Sequence, residues 1–169
     1  ANHPRKKRRP IASGVVPVGV ARLYACALFA AAAALLAVIP VGDRWLWTSI
    51  IVVGYVINVL VYSALFKHRV ILDVVSLSLG FVLRVLAGCA AVGAMPSSWL
   101  LNSTLFLAMF LAFGKRLGER RTMEAAGAAV ETARGVQKVY SDDLLRMAVV
   151  MTAVGTLVTY AGYVEDQEG

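Results

Sequence analysis

Asp73 and Arg84 are ionisable side chains inside long apolar runs. Inserting a charge there costs about 2.5–3.5 kcal/mol, so each marks a function or a satisfied pair. Eleven residues of separation amount to about 1,100° of helical rotation, which returns to within about 20° of the same face and about 16 Å further along the axis. Gly80 falls on that line with Ser76 to one side, so one helix carries a polar stripe Asp73, Ser76, Gly80, Arg84. An arginine leans toward its helix N-terminus, which lets the Arg84 guanidinium reach back toward the end that holds Asp73. In the preceding run Tyr55, Asn58 and Tyr62 stand at i, i+3 and i+7, again one face, and Ser63, Lys67 and His68 follow in the turn. A phenol, an ammonium and a carboxylate around one membrane-surface turn suit a phosphorylated, metal-bound ligand, with Lys67 as a point charge and the Asp73 carboxylate for Mg²⁺. Tyrosine and lysine are also ordinary interfacial anchors, and His68 has no second histidine placed to share a metal with it. Ahead of both runs, Arg5, Lys6, Lys7, Arg8 and Arg9 precede Pro10 and the Ser13–Gly14 turn. Five cations in a row make a compact surface for phosphates or anionic lipids.

The elements that hold these groups follow from composition. The 169 residues are 59% hydrophobic and 16% charged, with a mean hydropathy of +0.72, against about 45–50% apolar and about 25% charged in a soluble domain. A water-soluble domain is excluded. The net charge of +7 would otherwise suggest a nucleic-acid partner, but the basic residues are confined to segments between apolar runs and read as membrane topology. Five runs, at 15–39, 46–63, 70–94, 98–114 and 144–164, reach the roughly 17 to 25 residues that cross a hydrocarbon core. Open backbone groups cannot be satisfied in lipid, and runs such as Ala30 to Ala34 lack the alternation of a barrel, so the spans are helices. The fold class is an all-α, polytopic membrane bundle. Cys26 and Cys89 lie inside apolar runs, where thiols pack as small hydrophobes and imply neither a disulfide nor a metal site.

Orientation follows from the cations in alternate connections. The segments 1–14, 64–69 and 115–143 hold thirteen Lys and Arg between them, whereas the opposite side holds Arg44 alone. That asymmetry places the three segments in the cytoplasm. The stretch Glu119 to Tyr140, rich in Ala, Glu and Arg, reads as a short amphipathic helix on the membrane surface or as a solvated linker.

At Arg9, Pro10, Ile11, Ala12, Ser13 and Gly14 the chain resembles the UbiA superfamily of membrane prenyltransferases, in which an Asp-rich motif and a basic stretch lead into Arg-Pro-[Ile/Leu]-x-Ser-Gly. More narrowly it is similar to the decaprenyl-phosphate phosphoribosyltransferase branch. The residues that carry this are His3-Pro4, Tyr62-Ser63 with Lys67-His68 and Asp73, the run Gly80 to Gly88 around Arg84, Phe113-Gly114-Lys115-Arg116 with Glu119, and Arg134 to Ser141. The resemblance implies a UbiA-like bundle of about nine spans, of which this chain carries five, with the Asp-rich Mg²⁺-diphosphate motif expected just before Ala1. It implies Mg²⁺-dependent transfer of 5-phosphoribose from 5-phosphoribosyl 1-diphosphate to a polyprenyl phosphate, at the cytoplasmic face of a bacterial inner membrane, in cell-wall arabinan precursor synthesis. In that reading Asp73, Lys67 and Tyr62 are catalytic and Asp73 also serves metal or ribose hydroxyls. Arg5, Lys6, Arg8, Arg9, Ser13 and Asn58 bind or orient substrate, and Lys115, Arg116 and Arg84 meet the acceptor phosphate. Anionic membrane lipids are further partners, and nucleic acid is not one. Aromatic-substrate prenyltransferases of the superfamily carry carboxylates where this loop has Lys115 and Arg116, which makes that branch the alternative. A non-catalytic membrane component or transporter is the other alternative, against which stands the apolar run Val85 to Ala94 beyond Arg84.

Overall fold

The computed structural model describes residues 10–11, 13–38, 44–69, 71–125 and 141–168. Among them every regular element is helical: α1 (Val18–Val38), α2 (Arg44–Ala64), a 3-10 turn (Phe66–His68), α3 (Leu72–Val92), α4 (Ser98–Ala125) and α5 (Asp142–Glu168). All five helices are long and apolar enough to cross a membrane. The chain is therefore an all-α, multi-pass membrane protein, as composition requires.

Two compact units divide it, Ala1–Gly42 and Asp43–Gly169. In the first, the Ser13 hydroxyl donates to the Pro10 carbonyl at 3.2 Å and the Val16 amide to the same carbonyl at 3.0 Å. Gly14 takes a φ of +80°, which only glycine adopts without strain. This closed turn leads into α1, whose start follows Pro17.

In the second unit each helix packs against its neighbours in sequence, α2 on α3, α3 on α4 and α4 on α5. Local chemistry sets the ends. Ser97 caps α4 by accepting the Leu100 amide at 3.1 Å, and Ser141 caps α5 through the Leu144 amide at 3.1 Å, so orphan amides at both N-termini are satisfied. Gly93, at φ +75°, ends α3 with the Ala94 amide on the Cys89 carbonyl at 2.9 Å, the left-handed glycine stop. Arg44 donates to the Val92 carbonyl at 3.2 Å, placing a cation at the negative end of α3.

Four of the five helices match the predicted runs within a few residues. The exception is α4, which does not stop at Gly114 but continues unbroken to Ala125. Glu119 to Ala125 thus belongs to the spanning helix rather than to a separate amphipathic one, and residues 126–140 of that expectation lie outside the described residues. Gly118 costs about 1 kcal/mol in a helix interior, and side-chain ties offset it. Thr122 donates to the Gly118 carbonyl at 2.8 Å, Arg116 pairs with Glu119 one turn on, and Arg120 pairs with Asp142 of α5 at 3.6 Å.

The buried apolar core is small, Val74, Phe113 and Leu145 from α3, α4 and α5. Large apolar side chains such as Leu111, Met151, Leu157 and Val158 are exposed, the distribution of helices solvated by lipid. Threonines within α5 return their hydroxyls to their own helix: Thr152 to Ala148, Thr156 to Thr152 and Thr159 to Gly155, at 2.6–2.7 Å. Each polar group is then satisfied where water is absent.

Candidate functional site

A short connection between α2 and α3 forces the two helices antiparallel and side by side. The polar faces predicted on each meet along this seam. Tyr55, Asn58 and Tyr62 of α2 and Ser76, Gly80 and Arg84 of α3 line one cleft of about 70 Å³. That is room for a few water molecules rather than a sugar diphosphate, so the cleft is a polar wall and not by itself a complete site. At its middle, Asn58 donates to the Ser76 carbonyl at 2.9 Å and accepts from the Ser76 hydroxyl at 2.9 Å, a reciprocal pair that fixes the helix register. Gly80 faces the same α2 side chains without crowding, since a Cβ there would sit at an ordinary 3.4 Å from Asn58 Nδ2.

Arg84 closes the deeper end. Its Nη2 donates to the Tyr55 hydroxyl at 2.6 Å, and its guanidinium lies 5.0 Å from the Tyr55 ring centre and 5.1 Å from that of Phe81. Two aromatic faces and one hydroxyl oxygen compensate the cation. Asp73 and Arg84, though on one stripe, do not pair with each other.

Asp73 lies at the other end of the stripe, wholly buried. Its Oδ2 accepts from Arg116 Nε at 2.9 Å, across 43 residues of sequence. Arg116 is itself 5% exposed and also donates from Nη1 to Glu119 Oε2 at 3.1 Å. Tyr62, a cleft residue in the last turn of α2, lies at the same end of the helix pair as Asp73 in the first turn of α3. The turn that brings α3 in places Ile71 at φ +68°, a conformation costing a β-branched residue about 1–3 kcal/mol and one that concentrates at functional positions.

Of the predicted site residues, Asp73, Arg116 and Tyr62 gather at one end of the second unit, and Asn58 and Arg84 extend the same polar seam. Lys67 is half-buried on the 3-10 turn at that end, whereas Lys115 is exposed beside the inward-turned Arg116. Ser13 belongs to the closed turn of the first unit. Arg5, Lys6, Arg8 and Arg9 lie outside the described residues. Glu119 and Phe81, which the sequence names within motifs but gives no role, join the site. The signal for Glu119 was its i+3 spacing from Arg116 on a helix, hidden by reading that stretch as loop.

Among the described residues no group of three or more His, Cys, Asp or Glu is placed to hold a metal. The one carboxylate buried at the site is engaged by an arginine. A resident Mg²⁺ therefore does not fit the donor set described, and no chemistry is derived through one.

Decaprenyl-phosphate phosphoribosyltransferase of Corynebacterium glutamicum is 35% identical over 164 residues, covering 94% of this chain and 46% of that protein. The protein of the same name from Mycolicibacterium smegmatis is 34% identical over 161 residues, 94% of this chain and 47% of its own. That of Mycobacterium tuberculosis is 28% identical over 170 residues, 99% and 53%. The chain spans about half the length of the curated relatives it matches. The family model for UbiA prenyltransferases matches residues 1–164. A polytopic helical bundle, a polar seam ending at the buried Asp73–Arg116 pair and this match agree: the chain belongs to the UbiA prenyltransferase family.

Proposed function

We propose that the protein transfers 5-phosphoribose from 5-phosphoribosyl 1-diphosphate to a polyprenyl phosphate such as decaprenyl phosphate. The observation that carries this reading is the similarity over 94% of the chain to relatives of that name, together with the cationic character of the polar end. Lys67, Lys115 and Arg116 stand on elements that meet there, where a prenyl diphosphate site built on carboxylates would need acids.

The chemistry asks little of a base. A lipid phosphate is already an anion, so its oxygen attacks C1 of the ribose as the bond from C1 to the diphosphate oxygen breaks, and diphosphate leaves with the bonding pair. Catalysis then lies in orientation and in cations facing the charge that develops on the leaving group. Lys67, half-buried on the 3-10 turn, is assigned to the donor phosphates. Tyr62 and Asn58, the latter held by Ser76, orient the sugar from the seam. Lys115 and the Nη2 of Arg116, which has no hydrogen bond among the described residues, are assigned to the acceptor phosphate, and Arg84, held by Tyr55, to the same lipid at the deeper end of the seam. The charge asymmetry of the connections puts this end in the cytoplasm, where a soluble sugar diphosphate is available. Magnesium enters this reading with the diphosphate donor, as part of the substrate.

The test supplies the membrane-embedded protein in parallel with polyprenyl phosphate plus labelled 5-phosphoribosyl 1-diphosphate, and with an aromatic acceptor plus a prenyl diphosphate. Label passing from the ribosyl donor to lipid is the expected result, and incorporation of the prenyl group alone overturns the reading. Arg84→Leu is expected to insert normally and to lose saturation with the lipid phosphate.

A further inference from the structure

We infer that Asp73 is a positioning residue, clamping Arg116 jointly with Glu119, and that it is not a metal ligand. Sequence alone makes a lone carboxylate near a phosphate site look like a Mg²⁺ ligand. The geometry is otherwise. Mg²⁺ takes six oxygens at about 2.0–2.1 Å and keeps several of its waters, but Asp73 is fully shielded from solvent. A guanidinium nitrogen stands 2.9 Å from its Oδ2, so a fixed positive charge already occupies the approach a cation would take. Arg116 is gripped on two edges, Nε by Asp73 and Nη1 by Glu119, and a planar fork held on two edges has its remaining direction determined. That direction matters because Tyr62, on the wall of the cleft, stands in the last turn of α2, at the same end of the helix pair as Asp73 in the first turn of α3. The clamp thus links α3 to the extension of α4. It also explains why α4 runs on past Gly114: the helix must continue to bring Arg116 and Glu119 onto one face, one turn apart.

The kinetic readout rests on the phosphoribosyl-transfer reading, but the metal and stability readouts do not, so the two can fail separately. Protein in lipid nanodiscs would be titrated with Mn²⁺ without substrate, followed by its paramagnetic resonance, and then assayed for the KM of polyprenyl phosphate. Asp73→Asn retains an acceptor for Arg116 and is expected to leave Mn²⁺ binding unchanged while raising the acceptor KM about fivefold or more, the scale of a weakened charge-assisted hydrogen bond. Arg116→Lys is expected to raise that KM similarly, and the double variant Asp73→Asn/Arg116→Lys to be no worse than Arg116→Lys alone, because the carboxylate acts through the arginine. Arg116→Leu alone strands a buried carboxylate and should melt well below wild type, with Asp73→Leu/Arg116→Leu recovering most of the loss. Loss of Mn²⁺ binding in Asp73→Asn, or full additivity of the two single changes, overturns the inference. Should the protein transfer only prenyl groups, the function falls while the Mn²⁺ titration and the melting series still decide the clamp.

Discussion

The α2–α3 seam and the α4–α5 seam are both antiparallel helix pairs in one membrane protein, and they are built from opposite materials. Along α4, Trp99 and Phe106 stand seven residues apart, and along α5 so do Gly155 and Gly162. Each ring seats on a glycine: a Cβ at Gly155 would lie 2.8 Å from Phe106, and one at Gly162 2.8 Å from Trp99. Seven residues further along α4, Phe113 enters the core against which Ala148 of α5 packs. Aromatic-on-small contacts at heptad spacing give close approach and van der Waals contact, which is what holds helices together when lipid offers no hydrophobic driving force. The α2–α3 seam instead carries hydroxyls, an amide and a guanidinium around a cleft, and its glycine is not crowded, with the nearest atom 3.4 Å from a Cβ at Gly80. One seam is packed for cohesion. The other gives up packing to polar groups, each of which marks a function or a satisfied pair.

That contrast can be broken or sharpened by substitution. The largest effect is expected at the tight seam, where Gly155→Val forces a side chain into the Phe106 ring. It should lower stability by about 1–3 kcal/mol, read as a drop in melting temperature in detergent, and a variant as stable as wild type would mean the ring has room to move aside. Lys67→Ala, at the polar end, should reduce turnover by more than about tenfold, about 1.4 kcal/mol, with the melting temperature unchanged. Activity within twofold of wild type removes Lys67 from the site. Tyr55→Phe keeps the ring under Arg84 but takes away the oxygen that accepts its hydrogen bond, costing about 1 kcal/mol. It should appear as weaker saturation by polyprenyl phosphate alongside a small fall in melting temperature. Smallest of all, Gly80→Ala meets ordinary contact distances and should change stability by less than about 0.5 kcal/mol, against the far larger penalty of the same change at Gly162.

Much of this arrangement is legible in the residues before any coordinates. Five spans follow from run length because a bilayer imposes a minimum, and the two polar faces of α2 and α3 follow from helical spacing. That they meet follows from the shortness of the turn at 65–71. The extension of α4 does not, because Lys115, Arg116, Glu119 and Arg120 resemble loop charges in a hydropathy reading, and only the partner across 43 residues shows that Arg116 points inward. A buried aspartate in a span needs a cation, so a partner for Asp73 could be foreseen but not its identity; Arg84, on the same stripe, was the nearer candidate and is satisfied by Tyr55 instead. The ring-on-glycine register of α4 and α5 was present at seven-residue spacing and went unread, since within an apolar run nothing polar distinguishes one face from another.

We propose that anionic substrate is captured at the polar end, where α3 meets both α2 and α4, and not along the α4–α5 seam. The direct measurement is the affinity of 5-phosphoribosyl 1-diphosphate for the protein in nanodiscs, compared between wild type and Lys67→Ala. The account predicts at least about tenfold weaker binding in the variant, the scale of a lost charge-assisted phosphate contact, and equal affinity in the two proteins would contradict it.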